Sequence, residues 1–114
     1  MNIVIVEDKI TVPELKEVSK EFYNPIIKGV VDIEREIVAF GGEWHIDANM
    51  KLIEDGSKQK NIWGFNIDLD KSKGDWLEYN SLINIRPLAG NRQLDIQDQN
   101  LKERMKSIIN SKII

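Results

Sequence analysis

Apolar and polar positions along the chain follow two periods, and the switches between them outline the elements. Asn2 to Val6 is a short apolar run rich in β-branched residues, as a strand requires. Thr11-Val12-Pro13-Glu14 then starts a helix. Thr11 can cap, Glu14 follows three residues later as in a capping box, and Ile10 and Leu15 hold the hydrophobic-staple positions. Leu15, Val18 and Phe22 continue the apolar stripe at helical spacing, and Asn24-Pro25 ends it, so a helix is predicted near residues 12 to 22.

From Ile26 to Phe40 both periods fit. Ile26, Val30, Ile33, Ile37 and Phe40 suit one helix, yet 7 of these 15 residues are β-branched and Gly29 lies inside, which favours two strands turning near Arg35. From Glu43 to Leu52 strict alternation predicts a half-buried strand, with Trp44, Ile46, Ala48, Met50 and Leu52 on one face and Glu43, His45, Asp47, Asn49 and Lys51 on the other. Asp55-Gly56 supplies a turn. Trp63, Phe65, Ile67 and Leu69 alternate in a further strand, and Leu77, Tyr79, Ser81, Ile83 and Ile85 in the longest one, which Pro87 stops. Asp98 can cap a terminal helix, residues 98 to 111, whose stripe is Leu101, Met105, Ile108 and Ile109.

Strands apolar on one side and polar on the other form mainly antiparallel sheets with one covered face. The expectation is a single α+β domain over residues 1 to 114, with a mainly antiparallel sheet of about five to six strands and two helices packed on one face. Ile46, Phe65, Ile67, Tyr79, Ile83, Leu101 and Met105 should be buried together. Trp44 and Trp63 fall on apolar faces and are expected in the core. Trp76 falls on the polar side, as a sheet-edge anchor or part of a ligand or partner surface. Gly41-Gly42 marks a bulge or turn.

Composition narrows the chemistry. Cysteine is absent, which excludes disulfides, thiolate zinc sites and thiol catalysis. No apolar run is long enough for a membrane span and the opening MNIVIVEDK turns acidic too early for a secretory signal, so a cytoplasmic protein without membrane association is expected. The net charge of −3 makes non-specific nucleic-acid binding a poor expectation. Charge is nevertheless uneven: residues 57 to 114 carry 10 basic and 7 acidic side chains. No nucleophilic triad can be built around the single histidine, no phosphate-loop pattern occurs, and no cofactor is called for.

Two constellations remain. Glu43, His45 and Asp47, if alternate on a strand, point to one side and offer carboxylate and imidazole for acid-base work. Residues two apart on a strand lie roughly 6.6 to 7 Å apart, so His45 with Glu43 or Asp47 could share a metal completed by Asp68 or Glu78. The bland alternative is a solvated strand face. The second constellation is SLINIRPLAGNR, residues 81 to 92. Here Arg86 and Arg92, the amides of Asn84 and Asn91 and the backbone around Gly90 could surround an anion. The bland alternative has Arg86 paired with Glu43, Asp47 or Glu78.

The combination of VVDIE at Val30 to Glu34, Glu-x-His-x-Asp at Glu43 to Asp47, EDGSKQ at Glu54 to Gln59, WGFN at Trp63 to Asn66 and SLINIRPLAGNR resembles a small prokaryotic domain-of-unknown-function family over roughly residues 25 to 110. The resemblance implies an intracellular bacterial or archaeal protein and a single domain. Members tend to carry glycine at the position of Glu36, which implies a turn there. The expected function is a small binding module whose polar sheet face and Arg86/Arg92 loop hold a small anionic ligand or a protein partner. The alternative is a metal-assisted hydrolase or related enzyme centred on Glu43, His45 and Asp47.

Overall fold

The computed structural model describes residues 1–114. Its elements in chain order are β1 (Ile3–Val6), α1 (Val12–Ser19), β2 (Ile26–Asp32), β3 (Ile37–Gly41), α2 (His45–Glu54), β4 (Ile62–Asp68), β5 (Leu77–Glu78) and α3 (Gln99–Ser111). The five strands form one antiparallel sheet in the order β1-β3-β2-β4-β5. The class is therefore α+β, with three helices rather than two.

Local signals explain the first half. Thr11 caps α1 and Glu14 returns the bond to the Thr11 N–H, closing the capping box. The stretch from Ile26 resolves into the β2–β3 hairpin. Asp32 Oδ1 accepts the N–H groups of Glu34 and Arg35, and Glu36 takes a left-handed φ of 55°, a conformation that glycine adopts freely and other residues rarely. Arg35 ties this turn to the end of α2 through Ser57 and Asp55.

Residues 43 to 52 are not a strand. They enter α2, whose buried residues are His45, Ala48, Asn49 and Leu52, at helical spacing. Ala48 and Leu52 satisfy both periods, so the alternation was carried by residues that are in fact exposed: Trp44, Ile46 and Met50. Asp55-Gly56 is a turn, as expected, and it closes α2. Gly56 is left-handed, its N–H bonds Ile53 O, and the Ser57 N–H bonds Leu52 O, a Schellman closure.

The long strand expected at 77 to 85 is also corrected. β5 has two residues, after which the chain leaves the sheet and turns through a 3-10 segment at Leu82–Asn84. Asn84 replaces the missing strand. Its Oδ1 accepts the Gly64 N–H at 2.8 Å and its Nδ2 donates to Gly64 O at 2.9 Å, so a side-chain amide imitates a neighbouring peptide on β4. Gly64 permits the approach, since a Cβ there would stand 2.5 Å from Ser81 Oγ.

Both sheet faces are covered, against the expectation of one. On the first face α1 and α3 close over Val31, Phe40, Trp63, Phe65 and Ile67. Phe40 and Phe65 meet edge to face, and Phe65 fills the space a Cβ on Gly29 would occupy. Trp76 belongs to this core and its indole N–H bonds Asn110 on α3, because it precedes β5 and escapes that strand's alternation. Phe65, Ile67 and Met105 are buried here, with Tyr79 and Leu101 packed partly buried against them. On the second face α2 covers Val30, Ile37, Ala39 and Ile62, and Ile83 joins this smaller cluster. Ile46 belongs to neither core. No helix is long and apolar enough to cross a membrane.

Candidate functional site

The second face is covered by two separate pieces, α2 and the segment after β5, and they leave a gap. That gap is a cleft of about 340 Å³, lined by Lys28 from β2, Trp44, His45 and Ile46 from the start of α2, and residues 80 to 83 with Leu94 opposite. Its walls are apolar. Trp44 is 55% and Leu82 72% exposed, one on each bank, while His45 is 9% exposed.

The start of α2 sets one bank. Asp47, in the first helical turn, accepts the backbone N–H groups of Glu43 and Trp44 on its Oδ2, at 3.1 and 2.9 Å. Gly42, at φ 95°, lets Asp47 come this close, since a Cβ there would lie 2.9 Å from Asp47 Cβ. This cap turns His45 inward. Its Nε2 lies 2.8 Å from Phe65 O, and because a carbonyl only accepts, Nε2 carries the proton and donates. Nδ1 of the neutral ring is then an acceptor. Burial pushes the His45 pKa below its ordinary value and the Lys28 charge pushes it the same way. The Phe65 carbonyl and the neighbouring Asn66 side chain pull upward without overcoming this. Asn66 donates to Asn80 O, while its Oδ1 is buried and has no hydrogen-bond donor.

Lys28 enters the same place from the sheet. Burial lowers its pKa, and its ammonium sits 4.3 Å from the centre of the Tyr23 ring. The ion pairs of the molecule are Lys20–Glu17, Arg35–Asp55, Lys51–Glu54 and Lys102–Asp95, so Lys28 has no carboxylate partner.

The residues singled out from sequence are distributed differently. Glu43, His45 and Asp47 do not line one strand face: Asp47 is spent on the helix start and His45 on Phe65 O. No cluster of three metal-ligating side chains forms, so His45 and Asp47 gain no third ligand from Asp68 or Glu78. The hydrolase alternative therefore has no support.

The arginine loop is a fastener. Arg86 donates through Nε to Ile83 O and through its terminal nitrogens to the carbonyls of Gln59, Lys60 and Ile62, with the guanidinium stacked 4.1 Å from the centre of the Trp63 ring. Burial lowers its pKa. Its partners are carbonyls, not the carboxylates of Glu43, Asp47 or Glu78. Asn91 Nδ2 donates to the carbonyls of Asn84, Gln93 and Asp95, and its Oδ1 accepts from Gln97. The backbone N–H groups of Gly90, Asn91 and Arg92 bond Pro87 O, Arg86 O and Gln97 Oε1. The donors that an anion would need are thus already engaged, apart from the exposed Arg92 side chain.

Sequence reasoning missed Lys28, Asn66 and the cleft-facing side of Trp44. One signal was available: Lys28 is the only charged residue between Pro25 and Val31, in a strand otherwise built to be buried.

Residues 4–112 match the model of a family described as "Protein of unknown function (DUF5674)". No curated protein and no solved structure matches the chain.

Proposed function

The chain belongs to that family, whose function is unassigned, and from the geometry we propose that it is a small binding module whose site is the cleft between α2 and residues 80 to 83. The supporting observation is the cleft itself. A concave, mostly apolar space with a few convergent polar groups is what a small-molecule site looks like, and about 340 Å³ falls at the lower end of the roughly 300 to 1,000 Å³ typical of such sites. The binding module is kept and its site is put at this cleft rather than at Arg86, whose guanidinium is engaged by the carbonyls of Gln59, Lys60, Ile62 and Ile83. Trp44 and Ile46, apolar yet left in solvent at a helix start, make physical sense as one wall of an apolar ligand site.

Trp44 is also a built-in reporter, since Trp63 and Trp76 are buried and Trp44 is not. Titration with a neutral apolar probe, 3-phenylpropan-1-ol, should shift and saturate the Trp44 fluorescence at millimolar concentration or below. Ile46→Glu, which puts a carboxylate on the apolar wall, should abolish the response while the thermal midpoint stays close to wild type. An unsaturating response equal in both proteins contradicts the proposal.

A further inference from the structure

We infer that the ligand of this cleft is an apolar monocarboxylate whose carboxylate pairs with Lys28; this rests on the cleft being the binding site. Lys28 is the only formally charged side chain lining the cleft, His45 being neutral, and it forms no ion pair with a carboxylate of its own chain. An ammonium partly withdrawn from water loses some of its hydration, and no counter-charge of this chain replaces it. The ring of Tyr23 restores part of it and holds the ammonium in place. A carboxylate entering from the cleft restores the rest.

The surroundings select the class. His45 presents an acceptor at Nδ1, having committed Nε2–H to Phe65, so it adds no second cation. The cleft contains no arginine, whose planar fork would suit a phosphate dianion, and Lys28 is its one cationic side chain. One ammonium suits one negative charge. Trp44, Ile46, Leu82, Ile83 and Leu94 then take an apolar body the size of a phenylpropyl or octyl group. Lys28 thus supplies the one charged side chain of a lining that is otherwise mainly apolar.

Matched pairs test this directly. Calorimetric titration of the full chain at pH 7 with 3-phenylpropanoate and octanoate, each beside its primary amide, should give the acids roughly tenfold tighter binding, or more, as a charge-assisted bond contributes. Lys28→Met, which keeps the stem and removes the charge, should bring acid and amide to the same affinity, and Lys28→Arg should retain a preference for the acid. Inorganic phosphate alone should not compete at the concentration of acid that saturates the site. Acid and amide binding the wild type equally, or phosphate competing as well as the acid, overturns the carboxylate assignment while leaving the cleft as a binding site. No binding of any of the four compounds overturns both.

Discussion

The two faces of the sheet are built for different ends. Under α1 and α3 lies a cluster of 18 buried hydrophobic residues, whereas under α2 the cluster has 6. The first face is closed by two helices whose stripes mesh with aromatic side chains. The second is closed by one helix and by a short segment that lacks regular pairing, and polar side chains finish what apolar packing does not: His45 on Phe65 O, Asn84 on Gly64, Asn49 on Gln59. The lesson is that one face supplies cohesion, and the other, stabilised by directional bonds, has room for a cleft.

The largest effect that sharpens this contrast belongs to the first face. Phe65→Ala should cost about 3 to 5 kcal/mol in denaturant unfolding, because a large ring is removed from packing against Phe40 and from beneath Gly29. A loss under about 1 kcal/mol would mean that this face is not the cohesive one.

Next comes Asn84, the principal polar fastener of the second face. Asn84→Ala leaves Gly64 N–H and the carbonyls of Gly64 and Tyr79 without partners in a buried place, and should cost roughly 2 to 4 kcal/mol. If the loss is negligible, water or another side chain can do the same work and the second face owes little to directional bonds.

A smaller effect comes from His45, and its sign follows from linkage. Its folded pKa lies below the ordinary value of 6.5, so below that pH the unfolded chain takes up a proton that the folded one resists. The stability it contributes is complete above about pH 6.5 and declines as pH falls from there through the lower folded pKa. His45→Gln should flatten unfolding free energy against pH in that window. An unchanged slope would show that His45 titrates normally.

The smallest effect on stability belongs to the banks of the cleft. Trp44→Ala and Leu82→Ala should each change unfolding by about 0.5 kcal/mol or less, as exposed positions do, yet weaken binding of 3-phenylpropanoate several-fold. Large losses of stability would make these side chains structural.

What could be read from the sequence followed the same division. Elements whose signals are local were legible: the Thr11–Glu14 capping box, the β2–β3 turn near Arg35, the Asp98 cap and the alternation of Trp63, Phe65 and Ile67. The second face was misread because it buries polar residues. His45 and Asn49 looked like a solvated face and turned out to be the inner side of α2, while Trp44 and Ile46 looked like core and face solvent. Asn84 looked like a strand residue and is a substitute for a strand. No rule of periodicity reports a side chain that does a backbone's work. The candidate site residues were the hardest to place, since Arg86, which seemed free in sequence, is occupied by carbonyls that the fold brings to it, and Lys28 is left without a carboxylate partner by the same fold.

Amide shift mapping of the wild-type chain with 3-phenylpropanoate tests most directly whether the second face carries the site. Shifts are expected at Lys28, Trp44 to Asp47, Phe65, Asn66 and residues 80 to 83, with residues 86 to 92 and the α1 and α3 face silent. Shifts concentrated at Arg86 to Arg92, or none anywhere at millimolar ligand, would contradict a site on the second face.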